Sequence, residues 1–397
     1  MNYVKQGTRS FQRIVLALFA GGVNTFAILY NVQPLMPELA GEFNISPAAA
    51  SLSLSITTMA MAVSMLFVGF LSDAVGRKSI MTFSIITASL LAVLTAISPD
   101  YHLLLFIRVI QGIVLAGLPA IAMTYLSEEI EPEGLGLAMG LYISGNSIGG
   151  MSGRIISGII TEYYSWRVAI AAVGAFGLAA AIMFWLLLPP SRNFKRKPVE
   201  VKNIVKQLVS QCKDPNLLTL YGLGFLFMSC FVTLFNYISF QLLAPPYSLS
   251  QSIVGWIFII NTVGTISSTW MGRLADKKGR HKVLSIAIAI VLAGILITLA
   301  ANLWVKIFGI AVFVFGFFAC HSIASSWIGL LAGEDKAQAS ALYLFFYYVG
   351  SSISGTIGGL FWIRFGWAGI VGMIVLLTMG AFFLSLRLAV PERRINR

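Results

Sequence analysis

Two short loops carry the same charged residues in the same order and are the clearest chemical feature of the sequence. The first reads GFLSDAVGRKS over residues 69–79, and the second reads GRLADKKGRHK over residues 272–282. In each loop an aspartate precedes a glycine and an arginine, so the loop can form a tight turn closed by an ion pair. The residues concerned are Asp73, Gly76, Arg77 and Lys78 in the first loop, and Asp276, Gly279 and Arg280 in the second.

His321 is a histidine inside an apolar stretch, and it could exchange protons near neutral pH because the unperturbed pKa of histidine is about 6.5. All fifteen carboxylates lie in loops or at the ends of apolar stretches, so no acid competes for this role within a stretch. The alternative is a neutral imidazole that is hydrogen-bonded to Ser325 or to another helix. A catalytic pair with Ser322 is disfavoured, because neighbouring residues on a helix point about 100° apart.

Arg108, Gln111 and Arg154 also lie within apolar stretches. A charge there costs several kcal/mol unless it faces a cavity or a partner. Gln111 follows Arg108 by about one helical turn and shares its face, which favours a functional role over snorkelling of Arg108 to the surface. For Arg154, function and packing are equal alternatives.

Uncharged polar residues form a third group of candidates, and they fall on shared helical faces. Asn24 and Asn31 are seven residues apart on one predicted helix, and Thr233 and Asn236 share a face of another. Such side chains can line a solute site, or they can hydrogen-bond between helices. The candidates for solute contact are Asn24, Asn31, Asn146, Thr233, Asn236, Tyr237, Asn261 and Tyr347. No HExxH pattern or other signature of catalysis or metal binding accompanies them, so we expect no catalytic residue, metal or cofactor.

Membrane-spanning helices must position all of these residues. Of the 397 residues, 58% are hydrophobic and 11% are charged, whereas about 25% are charged in soluble domains. A helix crosses the hydrocarbon core with about 20 apolar residues, and the sequence contains twelve such stretches. They lack the alternation with a period of two that is typical of membrane barrels. We therefore predict an all-α membrane protein with twelve transmembrane helices.

The charges indicate how the helices are oriented. The net charge is +12, and most of the 27 lysines and arginines fall in loops on the side of the two termini. The positive-inside rule places that side in the cytoplasm. A nucleic-acid partner would need the basic residues clustered on a soluble surface, so none is expected. We predict a multi-pass monomer in a bacterial cytoplasmic membrane, surrounded by the lipid bilayer, with both termini cytoplasmic. The three cysteines are an odd number and indicate no disulfide framework.

The chain is an internal duplication. Besides the two charged loops, Asn31 corresponds to Asn236 and Trp166 corresponds to Trp367. A basic, proline-containing segment separates the two halves. We predict a six-helix bundle over residues 1–190, a cytoplasmic linker over 191–216 and a second six-helix bundle over 217–397. Transporters built from such repeats bind their solutes near the middle of the bilayer, between the repeats.

The two charged loops resemble the signature loop of the major facilitator superfamily, and the resemblance extends over essentially the whole chain. It implies that Asp73, Arg77, Asp276 and Arg280 form a charge network between the halves that stabilises one access state. The stretch from Arg108 to Gly112 is similar to a second motif of the family, which is associated with proton coupling. The string GNSIGG over 145–150 resembles the antiporter motif, with Asn146 in place of its proline.

More narrowly, the strings TYLSEEI, GLYISGNSIGGMSGR and HSIASSWIG resemble YnfM-type permeases of the arabinose-efflux-like branch. The resemblance implies a secondary active transporter. No carboxylate lies in the middle of a predicted span to balance a cation, whereas Arg108 and Arg154 lie within spans. We therefore expect the protein to export a small neutral or anionic organic solute, such as a drug, sugar or metabolite, in exchange for protons. Arg108, Gln111, Arg154 and His321 are then the candidates for proton coupling. A facilitator or a proton-coupled importer is the alternative, and an intramembrane enzyme is a remote one.

Overall fold

The computed structural model describes residues 3–194, 196, 208–333 and 336–388, and these residues are almost entirely helical. A 3₁₀ turn over Phe258–Ile260 joins two of the helices. The helices are α1 (Arg9–Tyr30), α2 (Met36–Glu42), α3 (Pro47–Val75), α4 (Arg77–Ala96), α5 (Tyr101–Leu115), α6 (Gly117–Glu129), α7 (Pro132–Tyr163), α8 (Trp166–Leu187), α9 (Pro215–Leu243), α10 (Gln251–Ile257), α11 (Asn261–Lys278), α12 (Arg280–Ile297), α13 (Leu303–Leu331) and α14 (Lys336–Ser385).

These helices provide the twelve predicted crossings. Ten helices or helix pairs are long and apolar enough to span a membrane, with α5 and α6 forming one crossing and α10 and α11 another. The last of the ten contains two crossings, because α14 bends at Gly366, where φ is 56°. The remaining crossing is α7, which has 32 residues but is rich in glycine and therefore less apolar. The protein is an all-α membrane protein.

Several predicted crossings are interrupted. The sequence predicts continuous spans over 14–34, 102–126 and 253–273, whereas the helix breaks after Tyr30, at Ala116 and at 258–260. Near the first break, Arg108 binds the carbonyls of Ile28 and Leu29, which a continuing helix would have used. Pro34 follows and has no N–H to donate.

The chain forms two compact units. The first contains residues 1–200 and 249–258, and the second contains residues 201–248 and 259–397. The short helix α10 therefore belongs with the first unit, although the sequence places it in the second repeat. The predicted boundaries at 190 and 217 stay a prediction, and much of the predicted linker lies outside the described residues.

Glycines set the packing of α7 on α1 in the first unit. Gly145, Gly149 and Gly153 recur every four residues, and a Cβ on any of them would collide with the backbone of α1 at Phe19, Val23 or Ala27. Residues four apart lie on one face of a helix, so this row allows the two backbones to touch. The glycines of the antiporter-like string thus have a packing role.

The second unit repeats the same arrangement between α14 and α9. Gly350 meets the backbone of Phe225, Gly358 meets the ring of Tyr237, and between them the carbonyl of Ser354 accepts a hydrogen bond from Thr233 Oγ1 at 3.3 Å. The spacing of 350, 354 and 358 matches that of 145, 149 and 153. The duplication predicted from the loops therefore extends to the helix contacts inside each unit.

Candidate functional site

The first charged loop forms a compact ion-pair network within the first unit. Arg77 contacts Asp73 Oδ1 at 2.6 Å and Glu128 Oε1 at 2.8 Å, and its Nε donates to Glu128 Oε2 at 3.2 Å. The ring of Phe194 covers the guanidinium at 5.5 Å. Gly76 forms the turn with φ 120°, as its residue type predicts. The contacts explain why Arg77 is buried, with two carboxylates compensating its charge.

Glu128 and its neighbour Glu129 were not among the predicted site residues. Both lie at the C-terminal end of α6, where the helix dipole disfavours negative charge. Glu128 is compensated by Arg77. Glu129 is 1% exposed, and its Oε1 accepts hydrogen bonds from the backbone nitrogens of Arg192 at 2.7 Å and Asn193 at 3.0 Å. The paired acids thus anchor both the signature loop and the chain that follows α8.

The N-terminal segment joins the same surface. Val4 pairs with the chain after α6, donating its N–H to the carbonyl of Glu129 at 2.8 Å and accepting from the N–H of Glu131 at 3.2 Å. The Oε1 of Glu131 also accepts from the backbone nitrogen of Gln6 at 2.7 Å. Residues far apart in the sequence therefore converge on residues 128–131.

The second charged loop is simpler. Gly279 forms the same turn with φ 94°, and Arg280 pairs with Asp276, whose side chain is 63% exposed. Arg280 Nε has no hydrogen bond to any described residue. Lys78 of the first loop is half-buried and forms no ion pair within the described part of the chain. The predicted role of the two loops in bridging the halves stays a prediction.

Arg108 is 1% exposed and binds backbone carbonyls. Its guanidinium donates to the carbonyl oxygens of Ser53 at 2.8 Å, Ile28 at 3.2 Å and Leu29 at 3.0 Å, and to Gln111 Oε1 at 2.6 Å. Gln111 in turn donates to the carbonyl of Ala88 at 3.0 Å. A cation at the C-terminal end of α1 also interacts favourably with the helix dipole. The geometry therefore joins α1, α3, α4 and α5.

Arg154 occupies a second buried position in the first unit. Its Nε donates to Gln33 Oε1 at 2.6 Å, and its guanidinium lies 4.1 Å from the ring centre of Tyr30 and 5.1 Å from that of Phe258. Beside it, Gln251 Nε2 donates to the carbonyl of Pro34 at 2.6 Å. These contacts seat residues 249–258 on α7 and on the turns after α1.

His321 lies in an aromatic cluster of the second unit, and of the two expected partners, Ser325 or another helix, it contacts another helix. The cluster consists of Phe231, Phe317, His321, Tyr343 and Tyr347. His321 Nδ1 lies 2.8 Å from the hydroxyl of Tyr343 on α14, whereas Ser325 donates to the carbonyl of Ser322. The imidazole stacks between the rings of Phe317 and Tyr343, with centre distances of 6.2 Å and 5.6 Å.

The enzymatic alternative has no geometric basis. Ser322 Oγ donates to the carbonyl of Ser268 on α11 at 3.2 Å, while His321 contacts α14. The two side chains thus point to different helices, and a nucleophile needs its base within hydrogen-bonding reach. Among the described residues, no group of three His, Cys, Asp or Glu side chains could hold a metal ion.

The predicted solute-contacting residues fall into three groups. Asn24 bonds to Ser89 Oγ at 3.1 Å, and Tyr237 donates to the carbonyl of Gly355 at 2.6 Å, so both connect helices, as does Thr233. By contrast, Asn31 Oδ1 and Asn261 Oδ1 are buried without a hydrogen bond to any described residue. The others remain candidates with these placements: Asn146 lies against Gly22, Asn236 is buried in α9, and Tyr347 is part of the aromatic cluster.

Lys306 is a buried cation that the sequence analysis missed. It is 2% exposed, donates to the carbonyl of Thr298 at the end of α12, and lies 5.6 Å and 5.2 Å from the ring centres of Tyr247 and Trp367. Trp367 Nε1 donates to the same carbonyl at 3.1 Å. The sequence does contain a signal for the contact with Thr298. Lys306 follows Asn302, which caps the start of α13, by one helical turn.

Comparisons with known proteins agree on one family. The model of the Major Facilitator Superfamily matches residues 18–247 and 229–397. The chain is 52% identical to YybF, an uncharacterized MFS-type transporter of Bacillus subtilis, over 99% of this chain and 98% of that protein. It is 46% identical to the inner membrane transport protein YnfM of Escherichia coli, over 99% and 94%.

A solved structure shows the same fold. It is that of a bacterial homologue of the human lysosomal transporter Spinster, in an inward-facing and unoccupied conformation. The alignment covers 96% of this chain and 95% of that one, with a TM-score of 0.74 and 16% identity.

Proposed function

The chain belongs to the major facilitator superfamily, and on that premise we propose that it is a secondary active transporter that exports a small neutral or anionic organic solute, such as a drug, sugar or metabolite. The two halves would expose the solute site alternately to each side of the membrane, and protons would move in the opposite direction. Export is supported by the resemblance of residues 145–150 to the antiporter motif.

One observation carries the proton-coupled part of the proposal. His321 lies in the interior of α13, whereas His102 and His281 lie in the first turn of α5 and α12, and it makes one side-chain hydrogen bond, to Tyr343. Arg108, the other main candidate, has its guanidinium bound to three carbonyls and one amide oxygen. A histidine can gain and lose a proton near neutral pH, whereas a guanidinium keeps its proton.

The positions of the acids support a neutral or anionic solute. Among the described residues, Glu129 is the one buried carboxylate, and two backbone N–H groups already donate hydrogen bonds to it. A permanent cation inside the membrane would need a counter-charge, and no carboxylate of the sequence lies in the middle of a predicted span.

The test uses purified protein in proteoliposomes. A screen of uncharged and anionic solutes first identifies one that a pH gradient drives into the vesicles. His321→Gln is then expected to retain solute exchange at equal pH but to lose accumulation under the gradient. His102→Gln is the matched control, because His102 is an exposed histidine at the start of α5. Accumulation at the wild-type level by His321→Gln would remove this residue from the coupling step and leave a facilitator or another coupling group.

The proposed orientation has a separate test. We propose that both termini and the linker are cytoplasmic, because most lysines and arginines lie on that side. In a variant without native cysteines, Lys213→Cys should resist a membrane-impermeant thiol reagent in intact cells and react after the cells are opened. Labelling in intact cells would reverse the orientation.

A further inference from the structure

The aromatic cluster has a buried base, formed by Phe317 and Tyr343, and a partly exposed rim, formed by His321 and Tyr347. Phe317 and Tyr343 are each 2% exposed, whereas His321 and Tyr347 are partly exposed. The rings of His321 and Tyr347 lie 4.9 Å apart, centre to centre. Gly224 supports the base, because a Cβ there would strike the ring of Tyr343. The rim therefore rests on a fixed support.

The residues next to His321 on α13 contact other helices of the second unit. On α13, Ser322 bonds to α11 and Phe318 packs against Gly264 of the same helix. On the adjoining face, Phe317 stacks on Phe231 of α9, with ring centres 4.3 Å apart. His321 lies between these two lines of contact. His321 is therefore flanked on α13 by residues that contact α9 and α11, while its own ring contacts α14.

The hydrogen bond to Tyr343 favours one tautomer of His321. The Tyr343 hydroxyl is buried and has no other hydrogen-bond partner among the described residues, so its proton is satisfied only by donating to Nδ1. In a neutral imidazole the proton then resides on Nε2. Nε2 makes no hydrogen bond to the described residues. The rim therefore offers an N–H donor next to the face of Tyr347.

The arrangement favours an aromatic oxygen-bearing solute over a cation. Phe317 and His321 are nearly parallel, with 5° between their planes, and Tyr343 continues the stack at 24°. A cation cage requires several ring faces directed at one point, whereas this stack leaves one accessible rim. Within the described part of the chain, no carboxylate contacts His321 or Tyr343.

We propose that the transported solute carries a planar aromatic ring that stacks on Tyr347 and an oxygen acceptor that binds Nε2–H of His321. The solute is uncharged or anionic. This inference rests on the proposed transport function and names the class of solute.

The experiment measures binding to purified protein in detergent micelles by saturation-transfer NMR, so it does not depend on transport. The probes are matched acids, benzoate against cyclohexanecarboxylate and naphthoate against its fully saturated counterpart. Each saturated ring is at least as hydrophobic as its aromatic partner, so partition into micelles cannot produce an aromatic preference. Stacking on Tyr347 predicts that the aromatic acids bind about 2- to 10-fold more tightly.

Three variants locate the binding. Tyr347→Leu should abolish the aromatic preference, and Tyr347→Phe, which keeps the ring, should retain it. His321→Phe preserves stacking but removes the donor, so it should weaken both aromatic acids about 2- to 10-fold while the preference over the saturated acids remains. Thermal unfolding of each variant shows whether it is folded, and Tyr347→Phe serves as the conservative control.

Several outcomes would overturn the inference. They are equal binding of aromatic and saturated acids, no binding of either aromatic acid at millimolar concentration, or an unchanged preference in Tyr347→Leu. Tighter binding of phenyltrimethylammonium than of benzoate would identify a cation cage instead. None of these results bears on proton-driven transport in proteoliposomes, which fails or succeeds separately.

Discussion

The two units use their buried polar side chains in different ways. In the first unit, the guanidinium of Arg108 donates to three backbone carbonyls and one amide oxygen, and Gln111 and Asn24 also bind carbonyl groups. In the second unit, His321 keeps one nitrogen without a hydrogen bond to a described residue and lies among aromatic rings. The helix packing is duplicated between the units, but this chemistry is not.

The difference separates architecture from recognition. A polar group whose bonding capacity is used by the backbone stabilises the fold and has little left for a solute. A group with an open donor in a firm support can bind a ligand without first breaking a protein contact. His321 is therefore more available for solute recognition than Arg108 is.

The strongest test of this comparison is Arg108→Leu. The change leaves the carbonyls of Ser53, Ile28 and Leu29 without their donor, which should lower the free energy of unfolding by about 3 kcal/mol or more. Unfolding by SDS in mixed micelles measures this loss. In the second unit, His321→Gln should lower the free energy of unfolding by less than about 1 kcal/mol. If Arg108→Leu is as stable as the wild type, Arg108 does not stabilise the packing of these helices.

The two charged loops give a second contrast. Arg77→Gln removes the cation between Asp73 and Glu128, and it should destabilise the protein by about 1 to 3 kcal/mol. Arg280→Gln removes the one ion-pair partner of the exposed Asp276 and should change stability by about 0 to 1 kcal/mol. Both values come from the same micelle titration. Equal losses at the two positions would mean that the loops have equivalent partners.

Lys306 is an exception to the contrast between the units. It is a buried cation of the second unit, and it donates to a backbone carbonyl. Lys306→Met should cost about 1 to 1.5 kcal/mol through loss of the bond to Thr298 and of the contacts with Tyr247 and Trp367. Lys306→Arg keeps the charge and should recover part of the loss. Thermal unfolding followed by size-exclusion fluorescence measures both variants. If Lys306→Met impairs transport without affecting stability, the second unit contains a further functional charge.

The smallest expected effect separates two amides of the first unit. Asn24→Ala loses a bond to Ser89 and should cost about 0.5 to 1 kcal/mol, whereas Asn31→Ala removes an oxygen that has no described partner and should be nearly neutral. The same unfolding assay compares them. A larger loss for Asn31→Ala would identify a contact that holds this amide in place.

The sequence predicts local features well and distant partners poorly. The turns at Gly76 and Gly279 and the pairs of Arg77 with Asp73 and of Arg280 with Asp276 follow from residues four apart. Glu128 is 51 residues away from Arg77, and only the tertiary fold brings them together. Two adjacent acids at a helix end could have indicated a nearby cation, because the helix dipole disfavours them there.

The same limit applies to the candidate site. The sequence identifies His321 as an unusual residue within an apolar span, but it cannot select Tyr343 over Ser325 as its partner, since that choice depends on how α13 packs against α14. A hydropathy profile does not reveal the helix breaks after Tyr30 and at 258–260 for a related reason. An apolar stretch reads as one helix whether or not a distant side chain takes its carbonyls.

The position of α10 has a consequence for the synthesis of the protein. Residues 249–258 complete the first unit, where Gly255 approaches Gly158 so closely that a Cβ on either would meet the other. The nascent chain produces α1 to α8 first and must then extend through the whole of α9 before α10 is available. Ribosomes add about 5 to 20 residues per second. The surface of the first unit that contacts α10 therefore stays uncovered in the bilayer for several seconds. Its folding is thereby tied to the insertion of the second half, and a message truncated after the first repeat would yield an incomplete unit rather than a finished bundle.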